Sequence, residues 1–482
     1  MNLSRTESEP SLKRFKVSSD GDDDAKRTSP PTSFVTWNAN GFVTRCRYNQ
    51  PELQQLLRGT GVPDVICMQE VRLKATSTTK RGLPLPSEYM PFVKDVLESA
   101  VFQDYHKFWS LADTRYAGTL TLMHKRLSIP SEDFAAYTMP SALSLLMKKF
   151  NVTRSDVGLP NHPMRRCDDD SSRKKQKGAS STQKQASINT FFSRKSSQPS
   201  NGSTNTSTNN KHLLTPNHHP EGRFQFFCFP DFDLIQTYVP NNGTNEDSFQ
   251  RRRDWDKDMK EFLEHRRIIL EKTNHVNRPL LWCGDMNVAK DYRDGTHWEE
   301  RCDKSVDKNA TITIKSTVYE WWKDETQCFV ASQGKKLDVS RALDDRGMPS
   351  FTANERRRFA EILIVADLSD VWRELRPNDD EESNNPRIPS HDNKYKSKWD
   401  RPLWTWRGHL GKSGNPFSSK YQGKGQRLDY FLLSPSTLTQ KVVEKCEILG
   451  YGEMREGLFC GSDHCASILV LRSPLQGTQC DA

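Results

Sequence analysis

The sequence is short of hydrophobic residues. Only 34% of its 482 residues are hydrophobic, against roughly 45–50% (a figure that counts Gly) in an average globular domain. The deficit predicts polar tails or insertions around an ordinary core. Length alone would allow two to three domains. No apolar run approaches the ~20 residues of a membrane-spanning helix, so no membrane partner is expected. The amino terminus, MNLSRTESEPSLKRFK, has no apolar h-region, so no secretory signal is expected. The 11 cysteines include no C-x-x-C pair, and no histidine spacing reads as a zinc site. That pattern suits reduced thiols used as core filler, in cytosol or nucleus. The formal net charge of +9 is modest for this length, but it favours polyanionic partners.

The segments that remain apolar read as strands. They are SFVTW, PDVICMQ, YAGTLTLMH, RFQFFCF, DLIQTYV, PLLWCGDMN, RLDYFLLS and ASILVL. A helix is expected from about Phe249 to Glu271. A second, TANERRRFAEILIVADL, opens on a capping box of Thr352 and Glu355, and Phe359, Ile362, Leu363 and Ala366 give it one apolar face. Strands interleaved with helices predict an α/β or α+β class. Residues 1–32 read as a disordered tail with acidic residues at Asp20–Asp24. From 131 to 220 the pattern dissolves, apart from one helix at SALSLLMKKF. Ser171 to Pro220 holds eight Lys or Arg and no Asp or Glu. Such a stretch buries too little apolar area to offset its ordering entropy. The expectation is one domain split into 33–130 and 221–475, a mostly disordered insertion at 131–220, and a short tail at 476–482. A second insertion spans about Gly295 to Pro349.

Polar residues recur at the ends of the strands. Asn38 and Asn40 follow FVTW, Glu70 follows VICMQ, Asp285 and Asn287 follow LLWCG, and Asp463 and His464 precede the last strand. Each has a plain structural reading: a solvated cap, a turn, an N-cap. Four such signals in one chain point to a single rim where rigid strands present groups to open loops. The set is carboxylates, amides and one His, which is hard-ligand chemistry suited to Mg²⁺ or Mn²⁺.

In order, the chain shows TWNANGF, PDVICMQEVRL, RYAGTLTLMHK, TYVPNNG, LLWCGDMNVAKDYRD, FTANERRRFAEIL, RLDYFLLS and GSDHC. This series resembles the exonuclease III-type AP endonucleases of the endonuclease/exonuclease/phosphatase superfamily. It covers Phe34 to about Leu127 and Arg223 to about Leu471. GDMN and SDH are shared across the superfamily, whereas RLDYFLLS with TYVPNNG and FTANERRRF belongs to its DNA-repair branch. The resemblance implies a four-layer α/β sandwich of two packed β-sheets flanked by helices. It implies a monomeric hydrolase that uses Mg²⁺ or Mn²⁺ to incise DNA 5′ of abasic sites, with 3′-phosphodiesterase or 3′–5′ exonuclease activity.

By the same resemblance Glu70 is the principal metal ligand, supported by Asn40 and Asp463. Asp285, Asn287 and His464 complete the metal side. Asp285 orients and deprotonates water, and Asn287 holds that water or the developing phosphorane oxygens. His464 donates to a phosphate oxygen and Asp429 fixes its imidazole. Tyr116 contacts the phosphate or leaving group, and Asn38 braces the metal side. Trp406 and Leu428 line an abasic-sugar pocket. Two positions depart from the pattern: Asn40 stands where many members have Asp, and Gln426 where well-known members have an aromatic residue. Arg251–Arg253 and Arg293 are candidates for DNA phosphates, although for any one of them a solvated helix face is the better reading. Two other classes stay open: a superfamily phosphoesterase acting on phosphoinositides or RNA tails, and a noncatalytic clamp- or DNA-binding scaffold.

The insertion carries two further motifs. QASINTFF fits Q-x-x-[ILM]-x-x-[FY]-[FY], with Gln185, Ile188, Phe191 and Phe192 in the specified places. It resembles the box that grips the DNA sliding clamp (PCNA). One helical turn would bring Ile188 and Phe191 to one side, with Phe192 beside them. Arg173, Lys174, Lys175 and Lys177, with Lys13–Arg14 and Lys26–Arg27, look like nuclear-import signals, so a nuclear location is expected.

Overall fold

Strands buried on both faces read as continuous apolar runs, and here alternate residues of one strand serve different cores. The computed structural model describes residues 30–76, 82–85, 89–112, 116–127, 134–160, 221–243, 246–290, 294, 350–376, 404–406, 426–439, 441–449 and 459–476, and the backbone alone of 311–314, 317–321 and 328–332. The strands are β1 (Ser33–Asn38), β2 (Val65–Gln69), β3 (Tyr105–Ser110), β4 (Thr119–His124), β5 (Ala135–Ala136), β6 (Phe224–Cys228), β7 (Asp233–Tyr238), β8 (Leu280–Asp285), β9 (Thr311–Ile314), β10 (Thr317–Trp321), β11 (Cys328–Ser332), β12 (Ser369–Asp370), β13 (Asp429–Leu433), β14 (Val443–Ile448) and β15 (Ser467–Leu471). The helices are α1 (Phe42–Tyr48), α2 (Gln50–Gly59), α3 (Met90–Leu97), α4 (Met139–Lys149), α5 (Glu246–Lys272), α6 (Ala353–Ala366), α7 (Val371–Glu374) and α8 (Pro435–Thr439).

Two six-stranded mixed sheets result, ordered β14-β15-β1-β2-β4-β3 and β12-β13-β8-β7-β6-β5. Phe34, Val65 and Met123 of the first meet Phe227, Leu234, Leu281 and Phe431 of the second in a central core. On the outer face of the first sheet, Val35, Trp37, Ile66 and Leu122 pack with Phe42, Leu53, Leu57 and Val93 of α1, α2 and α3. On the outer face of the second, Phe224, Ile235 and Trp282 pack with Leu143, Phe262 and Phe359 of α4, α5 and α6. The architecture is therefore the expected four-layer sandwich. β9, β10 and β11 form a separate three-stranded antiparallel ladder inside the second insertion. No helix among the described residues is long and apolar enough to cross a membrane.

One boundary moves. The stretch from 134 to 160, expected in the insertion, belongs to the domain. β5 pairs with β6 through Ala135↔Phe227, and α4 buries Ala142, Leu143 and Leu146 against the second sheet. Thr138 caps α4 with Ser141 in a capping box, and a Pro opens its first turn. Residues 161–220, with the clamp and import motifs, lie outside the described residues, as does Arg293.

The parallel pairs β1–β2 and β7–β8 set the site, because parallel strands end on the same side. Asn38 is level with Gln69. Tyr238, Asp285 and Asp429 fall in one row across β7, β8 and β13. Just before Asp285 the two strands close tightly. A Cβ on Gly284 (φ 133°) would sit 2.0 Å from the Thr237 carbonyl oxygen, so only glycine fits there.

Candidate active site

The strand ends of both sheets meet on one rim. Asn38, at the end of β1, joins them: its Nδ2 donates to Asp285 Oδ2 at 2.8 Å and to Glu70 Oε1 at 3.1 Å. Its Oδ1 accepts from the Asn40 backbone at 2.9 Å. Asn40 in turn donates its amide to Asp463 Oδ1 at 2.6 Å. The 462–464 loop is tied down beside it. Ser462 Oγ donates to the Asn38 carbonyl at 2.7 Å, and Trp37 Nε1 donates to the His464 carbonyl at 3.1 Å. His464 Nδ1 lies 2.9 Å from Asp429 Oδ2.

Several of these residues have left-handed backbone without being glycine: Asn40 (φ 44°), Glu70 (φ 52°) and Asn287 (φ 47°). Such conformations cost about 1–3 kcal/mol each and persist only where neighbours hold them. Here Gly41 N–H donates to the Glu70 carbonyl at 2.8 Å, and Asn287 N–H to Asp285 Oδ1 at 2.9 Å.

Charge is divided unevenly. Burial works against the ionised Glu70, but Arg72, the Tyr238 hydroxyl and the Asn38 amide outweigh it and hold the carboxyl down at about 2. Burial and then the Asp429 charge push Asp285 up to about 7. Burial opposes the charged form of His464, yet the Asp429 carboxylate wins and lifts the imidazole to about 10. Two neighbouring carboxylates in unlike surroundings are the arrangement that separates a base from an orienting group.

The strand-end residues singled out in the sequence come together here: Asn38, Asn40, Glu70, Asp285, Asn287, Asp463 and His464, joined by Asp429, which the resemblance named. Asn287 is fully engaged. Its Nδ2 donates to the Val239 carbonyl at 2.9 Å, and its Oδ1 accepts from Asn241 at 3.0 Å. Trp406 is half-buried and donates Nε1 to Asp463 Oδ2 at 3.2 Å; Leu428 is buried. Tyr116 stays at the rim, half exposed.

Other residues were not anticipated. Tyr238 donates its hydroxyl to Glu70 Oε1 at 2.7 Å. Arg72 donates to Glu70 Oε2, with Nε at 3.0 Å. Arg223 is wholly buried, its guanidinium carbon 4.5 Å from the Tyr238 ring centre and 5.4 Å from that of Tyr116. The strand-end rule that found Asn38 and Asp285 also finds Tyr238, the last residue of β7. Arg252 corrects the reading of Arg251–Arg253 as surface contacts. It is buried, pairs with Asp256 at 2.8 Å, and donates to the Asn287 carbonyl at 3.0 Å, so it braces the site from behind.

The residues present fit a hard divalent cation. Ligand atoms of Asp285, Asp429 and His464 all lie within 4.8 Å of one another. Asp429 Oδ1 is buried without a hydrogen-bond partner, a cost that a cation would relieve.

A model of the endonuclease/exonuclease/phosphatase family matches residues 35–339. A DNA-(apurinic or apyrimidinic site) endonuclease of Arabidopsis thaliana is 28% identical over 480 residues, 96% of this chain and 92% of that protein. One from Plasmodium falciparum is 25% identical over 468 residues, covering 91% of this chain and 54% of its own length. Among solved structures, an AP endonuclease from Leishmania major aligns with a TM-score of 0.48 and 17% identity, covering 92% of this chain and 89% of that one.

Proposed function

The chain belongs to the endonuclease/exonuclease/phosphatase family, and from that premise we propose that it is a metal-dependent DNA-repair hydrolase that incises the backbone 5′ of abasic sites and trims blocked 3′ ends. The observation that carries this is the Asp285–Asp429–His464 constellation. It places a buried carboxylate, pushed up to about 7, beside a histidine pinned by a second carboxylate at 2.9 Å. The curated relatives named as apurinic or apyrimidinic endonucleases support the choice of substrate.

Each residue has a task that its contacts allow. Asp285, oriented by Asn38 and by the Asn287 backbone, takes the proton of the attacking water. Asn287 holds Asp285, since its own amide is committed. His464, with Nδ1 on Asp429, has its second ring nitrogen for a phosphate oxygen. Glu70, held ionised by Arg72 and Tyr238, supplies a fixed negative charge. A divalent ion such as Mg²⁺ or Mn²⁺, which the carboxylates of Glu70, Asp285 and Asp429 would hold, would neutralise phosphate charge and ease departure of the 3′-oxygen. An abasic nucleotide lacks the stacking that retains it in the duplex, so extruding it toward Trp406 and Leu428 costs little. The clamp-like box at Gln185–Phe192 and the basic run at Arg173–Lys177 suit a nuclear enzyme delivered to DNA by the sliding clamp.

The deciding experiment compares matched duplexes carrying an abasic site, a blocked 3′ end or a plain recessed 3′ end, with and without Mg²⁺. Metal-dependent cleavage of the first two is expected. Turnover of phosphoinositide or poly(A) but not of these duplexes would overturn the reading.

A further inference from the structure

The Glu70 carboxylate accepts four hydrogen bonds. Oε1 accepts from Asn38 Nδ2 at 3.1 Å and from the Tyr238 hydroxyl at 2.7 Å. Oε2 accepts twice from Arg72, through Nε at 3.0 Å and through Nη2. A carboxylate has about four acceptor sites, so a metal ion gains Glu70 only when a donor gives way. The donors are not equally held. Asn38 is wholly buried, and its amide also binds Asp285. Tyr238 is buried too, and Arg223 stacks on its ring and donates to its carbonyl at 3.0 Å. The Arg72 side chain is 43% exposed, against 13% for that of Glu70. Its backbone is fixed, because Arg72 N–H donates to the Ala117 carbonyl at 2.8 Å and Val71 N–H to the Gly118 carbonyl at 3.0 Å. The guanidinium is therefore the donor that can leave, and it can do so without opening the core.

We propose that Arg72 is an exchangeable latch on Glu70, competing with the divalent ion for that carboxylate and drawn off it by a phosphate of the DNA backbone. The inference rests on the reading of the chain as a metal-dependent DNA hydrolase. Glu70 and Asp285 accept from the same Asn38 amide. An ion held by these carboxylates meets the positive charge of Arg72 as well as its hydrogen bonds, and like charges at short range oppose each other. A phosphate offers the planar guanidinium the same two-pronged bond that the carboxylate does. The exchange replaces one bidentate pair by another and frees Oε2. DNA and metal then raise each other's affinity by one common factor.

The test measures Mn²⁺ affinity by electron paramagnetic resonance on the full-length protein, with and without an undamaged DNA dumbbell. The dumbbell offers phosphates but neither a lesion nor an end to cleave, so no turnover enters the readout. In the wild type the dumbbell should tighten Mn²⁺ binding by about tenfold, the scale of a coupling between two sites. Arg72→Met keeps the stem and removes the charge. Without DNA it should bind Mn²⁺ about tenfold more tightly than the wild type, and the dumbbell should then add less than about twofold. The wild-type pair of measurements decides whether or not the variant folds: an affinity unchanged by the dumbbell overturns the proposal. Equal or weaker Mn²⁺ binding by Arg72→Met also overturns it, since Arg72 would then be holding Glu70 in shape for the ion. So does a full dumbbell effect kept in Arg72→Met, which would assign the coupling to phosphates that meet the ion directly. If the wild type binds no Mn²⁺, or does not bind the dumbbell, the metal-dependent DNA reading itself fails and this inference goes with it.

Discussion

Asp285 and Asp429 are cross-strand partners on β8 and β13, both buried, and only Asp429 holds a histidine. Asp285 is met by amides alone: Asn38 Nδ2 at 2.8 Å and the Asn287 backbone at 2.9 Å. Neutral donors offset burial only in part, so Asp285 is pushed up to about 7 by burial and then by the Asp429 charge.

Asp285→Asn keeps the shape and removes the carboxylate proposed as the base. Incision of an abasic duplex should fall by about 10²–10⁴-fold. Stability should move the other way. An acid whose folded pKa is raised, here to about 7 from 3.8, destabilises the fold progressively as pH climbs through that window. Metal-free Asp285→Asn should therefore melt above the wild type at pH 8, with the gap closing near pH 3. A lower melting temperature at pH 8 would contradict the assignment.

His464 carries the opposite sign. Its folded pKa is raised to about 10 from 6.5, the Asp429 charge overcoming burial. The stability this confers is complete below about 6.5 and is lost as pH rises through about 10. In the metal-free protein the His464 ring resonances should remain those of an imidazolium at pH 8. Asp429→Asn should bring the titration down and erase the alkaline loss of stability. An imidazole already neutral at pH 7 in the wild type would refute the pairing.

Glu70 depends on Tyr238, whose hydroxyl reaches it at 2.7 Å. A depressed acid stabilises above its unfolded pKa, and that stability is lost as pH falls from 4.5 through about 2. Tyr238→Phe removes one donor from an ionised carboxylate, at a cost of about 1–3 kcal/mol. Acid unfolding should begin at higher pH in this variant, and incision should fall by about tenfold, the scale of one lost hydrogen bond. Unchanged acid unfolding would show that Arg72 alone holds the carboxylate.

The central strands were legible because each faces two cores and shows as an apolar run: VICMQ, LIQTY and LLWCG are buried throughout. The edge strands of the first sheet were not. β3, YHKFWS, and β14, VEKCEI, expose part of their length, and their polar residues hide the strand signal. The capping box at Thr352 and Glu355 stood in the sequence and stands in the structure. α4 was visible as a helix but not as part of the domain, since a lone amphipathic segment does not say what it packs on. At the site, residue type at strand ends identified the acids and amides. It missed Arg72, which pairs with Glu70 two residues before it, and Arg223, which stacks on the Tyr238 and Tyr116 rings, and it misjudged Arg252, because a run of three arginines on a helix gives no sign that one turns inward.

The clamp-like box makes a prediction that depends on sequence alone. Gln185, Ile188, Phe191 and Phe192 are the specified positions in a stretch otherwise poor in apolar residues. Apolar side chains in such a stretch gain burial when they meet a partner, and binding must also meet the entropy of ordering the segment. A peptide of residues 180–198 should therefore bind the sliding clamp with an affinity on the order of micromolar, as a short segment that orders on binding would. Phe191→Ala with Phe192→Ala removes two of the three apolar prongs and should weaken binding by at least about a hundredfold. Calorimetry on the two peptides decides it, and a negative heat-capacity change should accompany the wild-type association alone. Equal binding by both would reduce the match to coincidence. Loss in the variant peptide, joined to unchanged incision by the full-length double mutant on free duplex, would separate delivery to DNA from the chemistry at Asp285.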